Sequence, residues 1–383
     1  MKRRLVIVSE IIAPYRIPAF NALAQHDDIE PHVVFLSETD PALRHWRIYK
    51  DEIRFSHEVL PCWRHRMGKF NLLLNWGLSR ALRRAHPDAI LCGGYSYISS
   101  WTAAFWAQCR GVPLLLWSES TIHDMRARHG TVEFLKSRFL DRCDGFVVPG
   151  KSSFVYLKNL GVSEPKIFTA PNAVDIDFFS RAAQISKNGW DTRRKLGFPD
   201  RYFVYVGRMV TAKGIFELLE AYAKLDDELR SQIALVFVGD GAAKNELMKR
   251  ASHIRPGVVH CVGFMHREEL AAFYGLAEAV ILPTYSDTWG LVINEALWSG
   301  VPVLASVHAG ASRELLTPDH VFDPLDQADF LAKLGSAIVS GLAAPDTSRL
   351  LKMDTVAELI IDDVSRFLDI PPATELPDAP ADL

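Results

Sequence analysis

The stretch YFVYVGRMVTAKGIFELLEAYA, residues 202–223, begins with five apolar or aromatic residues, breaks at a glycine and resumes as a segment of helical length. A continuous apolar run suits a strand covered on both faces, because a strand with one wet face would alternate. The same unit recurs along the chain. LVIVS (5–9), HVVFL (32–36), AILCG (89–93), VPLLLW (112–117) and GFVVP (145–149) form one series of strand candidates. YFVYVG (202–207), ALVFVG (234–239), VVHCVG (258–263), AVILP (279–283) and VPVLA (301–305) form a second. Segments of helical length, such as REELAAFYGLAEA, separate most of them. Strands alternating with helices predict two doubly wound α/β domains with parallel sheets and ligands at the carboxyl ends of the strands.

The polar stretch 171–200 lacks a clean period and reads as the crossing between domains of residues 1–172 and 173–355. A helix at 356–370 either caps the second domain or crosses back to the first. The Pro- and acid-rich tail at 371–383 is expected to be disordered. A length of 383 residues with 49% hydrophobic and 23% charged content suits two buried cores. The net charge of −3 argues against a nucleic-acid partner. Five scattered cysteines with no CxxC pair read as buried, reduced thiols of a cytoplasmic protein. The apolar run after MKRR is too short for a signal peptide or a membrane span and reads as a first strand.

Three patterns point elsewhere and fail on context. Gly145, four residues, then Gly150-Lys151-Ser152 spell a phosphate loop, but FVVP between them is strand, with no free amides to cradle phosphate. Asp175 and Asp177 offer two oxygens to a divalent ion, which is too few, and read as solvated loop carboxylates. No glycine follows the first strand, so the dinucleotide-binding turn is absent.

The stretch PTYSDTWGLVINEALWSGVPV, residues 283–303, carries the chemistry. Gly290 opens a helix running to Ser299, with Gly300 as its stop. Asp287 then lies on the entering loop and Glu295 about a turn and a half inside. The amides of Thr288, Trp289, Gly290 and Leu291 form an anion site at the helix start. Such a site suits a ligand that is anionic in one part and hydroxylated elsewhere, and a nucleotide sugar is one. Gly207, Arg208 and Lys213 follow a strand of the same domain, where two cations are placed for a diphosphate. The bland alternative makes Arg208 and Lys213 exposed surface cations and Asp287 a helix cap.

These blocks, with HPDAIL, KIFTAPNAVDIDFF, VFVGDG and CVGFMHREELAAFY, resemble the family-4 retaining glycosyltransferases over roughly residues 5–340. The 283–303 block resembles that family's glutamate-x7-glutamate signature, the most specific of the motifs. The resemblance implies the GT-B fold, two Rossmann-like domains facing a central cleft. It implies that Arg208 and Lys213 bind the donor diphosphate, Glu295 the ribose, and Asp287 the transferred sugar. It further implies metal-independent transfer of a hexose with no cofactor, a UDP-sugar being favoured over a GDP-sugar. Configuration would be retained because a departing phosphate oxygen takes the acceptor proton. The chain departs from the family where Asp287 replaces glutamate, Trp289 phenylalanine and Ala173 glycine, and where APYR replaces a glycine pair. The family's histidine after VPLLLW has two counterparts, Glu119 by alignment and His123 four residues on.

The first domain would take a saccharide or lipid-linked acceptor, with Tyr15, Arg16 and Tyr95 on the acceptor side. Residues 44–84 contain ten arginines and lysines against Asp51, Glu52 and Glu58, with Trp46, Trp63, Phe70 and Trp76 interleaved. That stretch reads as a peripheral contact with the inner leaflet of the plasma membrane or as an amphipathic helix with its tryptophans in the core. Two other function classes remain: an epimerase or phosphorylase on the same architecture, or a non-catalytic saccharide-binding protein.

Overall fold

The computed structural model describes residues 2–40, 46–67, 70–123, 130–187 and 199–368. They form two compact units, each built around one parallel sheet. The first unit takes residues up to 122, those from 130 to 173, and those from 351 on. The second takes His123 and residues 174–350.

In the first unit the chain lays down β1 (Arg3–Ser9), β2 (Ile29–Phe35) and β3 (Ser56–Val59), and then a hairpin of β4 (Cys62–Met67) and β5 (Phe70–Asn75). β6 (Ala89–Cys92), β7 (Leu114–Trp117), β8 (Gly145–Val148) and β9 (Ile167–Thr169) follow. The sheet order is β3-β2-β1-β6-β7-β8-β9, every pair parallel, with the hairpin apart from it. Successive residues of β1 serve opposite faces. Leu5 and Ile7 join one core with Phe20, Leu91 and Leu115, while Val6 and Val8 join another with Ile90 and Leu116. That double burial is why the strands read as unbroken apolar runs, each such side chain contributing about 1.5–3 kcal/mol. The helix Met353–Ser365 packs against the helix Ile17–Gln25 and sends Val356, Ile360, Ile361 and Val364 into the first of these cores.

The second unit contains β10 (Tyr202–Val206), β11 (Ala234–Val238), β12 (Val259–Gly263), β13 (Ala279–Leu282), β14 (Val303–Ser306) and β15 (Val321–Phe322). Its order is β12-β11-β10-β13-β14-β15, again parallel throughout. The order reverses between β10 and β13, and ligands of open α/β sheets bind where two such neighbouring loops part. Gly214 ends the loop after β10 with φ 68°, and a Cβ there would strike the Pro283 carbonyl at the end of β13. Only glycine lets these two loops approach so closely.

All ten predicted strands form, and two segments and the cysteines differ from the expectations. The 44–84 stretch is not one amphipathic helix: it holds β3, the β4–β5 hairpin and a helix, Leu78–Ala85. Trp63 and Trp76 are exposed, so the core reading of these tryptophans is wrong. The polar stretch after 171 includes the helix Ile176–Lys187, in which Asp175 accepts from the Phe178 amide as a cap, so it is not a free loop carboxylate. Asp177 is exposed on its first turn. Among the cysteines only Cys92 and Cys143 are buried, whereas Cys62 and Cys109 are exposed. Gly145 does begin β8, with Val147 and Val148 buried, which removes the phosphate-loop reading. Arg44, Lys69 and the 371–383 tail lie outside the described residues.

Candidate donor site

The loops after β10 and β13 bring two of the expected residues into contact. Lys213 Nζ donates to Asp287 Oδ2 at 2.6 Å and to the Ser286 carbonyl at 3.0 Å. An ammonium has three donors, so this geometry commits two and leaves one. Arg208 is exposed on the same loop, and its carbonyl accepts from the buried Tyr205 hydroxyl at 2.8 Å. Gly207, with φ 154°, precedes it, and its Cα faces that tyrosine so closely that a Cβ would lie 2.8 Å from the hydroxyl.

Gly290 caps the helix Leu291–Trp298 with φ 90°, a left-handed conformation that favours glycine. Among the described residues the amides of Thr288, Trp289, Gly290 and Leu291 find no acceptor. They lie beside Asp287 at the positive end of the helix. A second loop fixes their backbone. The Gly310 amide donates to the Asp287 carbonyl and the Ala311 amide to the Trp289 carbonyl, at 3.0 and 2.8 Å, while the Asp287 amide donates to the His308 carbonyl. Gly310 is required there, since a Cβ would strike the Thr288 carbonyl.

Two side chains sit differently from their expected places. The Trp289 ring is 2% exposed and donates from Nε1 to Asn294 Oδ1 at 2.9 Å, so only its amide is available to a ligand. Glu295 accepts from the Tyr274 hydroxyl at 2.7 Å. Burial pushes the Glu295 carboxyl above its usual range, with that hydrogen bond pulling the other way. The contributions of Tyr274, Ser286, His308 and Gly310 went unread in the sequence, because each acts through a partner distant in the chain.

His123 lies with the second unit, its ring stacked on His308 with centroids 4.5 Å apart. Burial first, and then His123, lowers the His308 imidazole below its ordinary value, against a smaller opposing effect of Asp323.

In the first unit, Glu119 follows β7 and accepts from Arg16 at 2.8 Å and from Asn172 at 3.0 Å, both at Oε1. The Arg16 guanidinium also lies 4.0 Å from the centre of the Trp117 ring and 5.9 Å from that of Tyr15. Tyr95 belongs to a different group, with the buried Lys136 ammonium 5.9 Å from its ring centre. Lys136 in turn donates to Tyr156 at 2.5 Å and to Glu133 at 3.1 Å. Arg16 and Glu119 are therefore brought together, and Tyr95 stands apart from them.

Comparison with known proteins places this arrangement. Residues 188–342 match the family described as Glycosyl transferases group 1, and residues 20–178 match Glycosyltransferase Family 4. The chain is similar to a D-inositol 3-phosphate glycosyltransferase of Corynebacterium jeikeium, 33% identical over 54% of this chain and 52% of the relative. It is similar to an alpha-monoglucosyldiacylglycerol synthase of Streptococcus pneumoniae, 30% identical over 58% of this chain and 50% of the relative. The chain thus spans about half the length of these curated relatives. The fold is similar to that of HepE from Anabaena in complex with UDP-glucose, with a TM-score of 0.68 and 16% identity over 96% of this chain and 97% of that one. It is also similar to the lipopolysaccharide outer core galactosyltransferase WaaB, with a TM-score of 0.62 and 16% identity over 96% of both chains. The chain belongs to glycosyltransferase family 4, the group 1 glycosyl transferases, and has the GT-B fold.

Proposed function

We propose that the protein is a retaining hexosyltransferase that moves a sugar from a nucleoside diphosphate donor, UDP in preference to GDP, to a saccharide or lipid-linked acceptor. The observation that carries this reading is the Lys213–Asp287 pair beside four unengaged amides at a sheet switch point. The remaining Lys213 donor, Arg208 and the amides of residues 288–291 meet the phosphate charge that grows as the sugar leaves. Asp287 keeps an oxygen for sugar hydroxyls, and Glu295 with Tyr274 reads the ribose. The charge is met by protein groups, so no metal is required. HepE, whose fold this chain shares, was solved with UDP and with UDP-glucose, which supports a uridine donor. The synthase of S. pneumoniae, by its name, makes a glycolipid, which supports an acceptor at the inner leaflet in cell-surface glycoconjugate or polysaccharide synthesis.

Incubation with a panel of nucleotide sugars, followed by mass spectrometry, tests the proposal. One donor should be hydrolysed slowly, faster when acceptor is added, and equally in EDTA. Interconversion of sugars would make it an epimerase, and an untouched panel would make it a binding protein.

A further inference from the structure

The β4–β5 hairpin has one face fixed to the first unit and one left open. In its antiparallel register Arg64 opposes Leu73 and Cys62 opposes Asn75. Leu73 is 1% exposed, Arg64 is paired with Asp40 at 2.7 Å and Glu10 at 3.3 Å, and Asn75 bonds the Leu36 carbonyl. Strand geometry then turns the alternate residues outward. Trp63 opposes Leu74 and His65 opposes Leu72, with Trp76 continuing the same parity just past β5. Trp63 is 48% exposed, Trp76 56% and Leu72 36%. The Trp63 and His65 rings are stacked at 5.3 Å and 8°, which holds the indole in place on an open surface.

Basic residues follow this face directly in the chain. The helix Leu78–Ala85 begins two residues after Trp76, buries Leu78, Ala81, Leu82 and Ala85, and exposes Arg80 and Arg83. The 44–84 stretch carries ten basic and three acidic residues in a chain whose net charge is −3; Lys50, Arg64 and Arg84 are held in ion pairs, and Arg44 and Lys69 lie outside the described residues. An aromatic, aliphatic strip followed by exposed arginines that have no ion pair among the described residues matches the boundary of an anionic bilayer. There the indole ring meets acyl chains, its N–H meets headgroups, and arginine meets phosphate.

We propose that the outward face of this hairpin, Trp63, His65, Leu72, Leu74 and Trp76, docks the protein on an anionic lipid surface, with Arg80 and Arg83 drawing it there. No described helix is long and apolar enough to cross a membrane. The inference rests on the proposed function only for the acceptor's being lipid-linked, and docking itself is independent of turnover.

Co-sedimentation of the full chain with phosphatidylglycerol–phosphatidylcholine vesicles and with pure phosphatidylcholine vesicles tests it. The protein should bind the anionic vesicles at least tenfold better, and less at high salt. Trp63→Ala/Trp76→Ala and, separately, Arg80→Glu/Arg83→Glu should each lose that binding tenfold or more with unchanged circular dichroism. Met248→Ala, which removes an exposed side chain of the second unit, should not. Equal binding to both vesicles, or undiminished binding by both double variants, overturns the proposal. So does a concentration-dependent dimer that the tryptophan variant abolishes, since the face would then join two copies. Donor hydrolysis without vesicles is read in parallel. Vesicle binding without hydrolysis removes the transferase reading alone, and hydrolysis without vesicle binding removes the docking surface alone.

Discussion

Lys213 and Asp287, the cation expected on the diphosphate and the acid expected on the sugar, are one ion pair, 2.6 Å apart and mostly shielded from solvent. On the proposed function Asp287 therefore has two tasks, to orient the ammonium, which it already bonds, and to face the sugar. The shorter acid at this position bonds the lysine directly, so substitutions here are coupled.

That coupling gives a signed prediction. Lys213→Ala should lower turnover about 100-fold, about 3 kcal/mol of transition-state stabilisation, and weaken binding of the bare nucleoside diphosphate. Asp287→Ala should lower turnover similarly, yet raise affinity for the bare nucleoside diphosphate several-fold, because the ammonium loses the anion that neutralises it. The double variant should be less impaired than the product of the two. Calorimetry with the product on the three variants is the check. Asp287→Ala weakening product binding as much as Lys213→Ala would show that Asp287 only supports the loop.

Glu119 supplies a second prediction. With one oxygen shared by Arg16 and Asn172, it holds the arginine whose guanidinium lies 4.0 Å from the centre of the Trp117 ring, and we propose that it positions that arginine and does not accept a proton from a substrate. Glu119→Gln should lower kcat about tenfold without removing a limb of the pH–rate profile. Arg16→Lys should cost more, because an ammonium cannot both stack on the indole and bond the carboxylate as the planar guanidinium does. Loss of a limb in Glu119→Gln would make Glu119 the base.

The contrast between what the sequence made legible and what it did not is physical. Nine of the ten predicted strands lie inside a sheet and were readable because burial on both faces favours apolar residues along them, while the tenth, β12, is an edge strand and half-buried throughout. Gly290 and Gly300 marked the helix between them, since φ values of 90° and 71° favour glycine. The hairpin was unreadable because only one face is buried: Trp63 and Trp76 belong to the open one, so their hydrophobicity misled. Glu119–Arg16 joins residues 103 apart in sequence, and Lys213–Asp287 joins residues 74 apart. Such pairs depend on which strands lie side by side, which no local pattern states.

Trp289 shows how one motif residue can serve the core. Trp289→Phe would keep most of the ring's packing and remove the Nε1 donor that meets Asn294 Oδ1 at 2.9 Å. The expected loss is about 0.5–1.5 kcal/mol of stability, the net worth of one such hydrogen bond, seen as a lower denaturation midpoint with unchanged affinity for the nucleoside diphosphate. A fall in affinity with unchanged stability would place the ring in the ligand site.

Asp363, on the helix Met353–Ser365, is 7% exposed, and its Oδ2 has no hydrogen-bond partner among the described residues. Burial lifts its pKa from the usual carboxylate range to about 7, only partly opposed by Arg366. The folded chain therefore holds a proton that the unfolded chain has lost between about pH 4 and pH 7. Stability then falls as pH rises through that window and is level above it, since the native state binds more protons there. A rise from the usual carboxylate range to about 7 corresponds to about 4 kcal/mol at most. Asp363→Asn keeps the shape and cannot ionise, so it should raise the denaturation midpoint at pH 8 and leave it nearly unchanged at pH 4. Urea melts of both proteins across pH 4–8 decide this. Parallel curves, with no gap opening towards pH 8, would mean that the carboxylate is solvated or paired in solution and carries no such penalty.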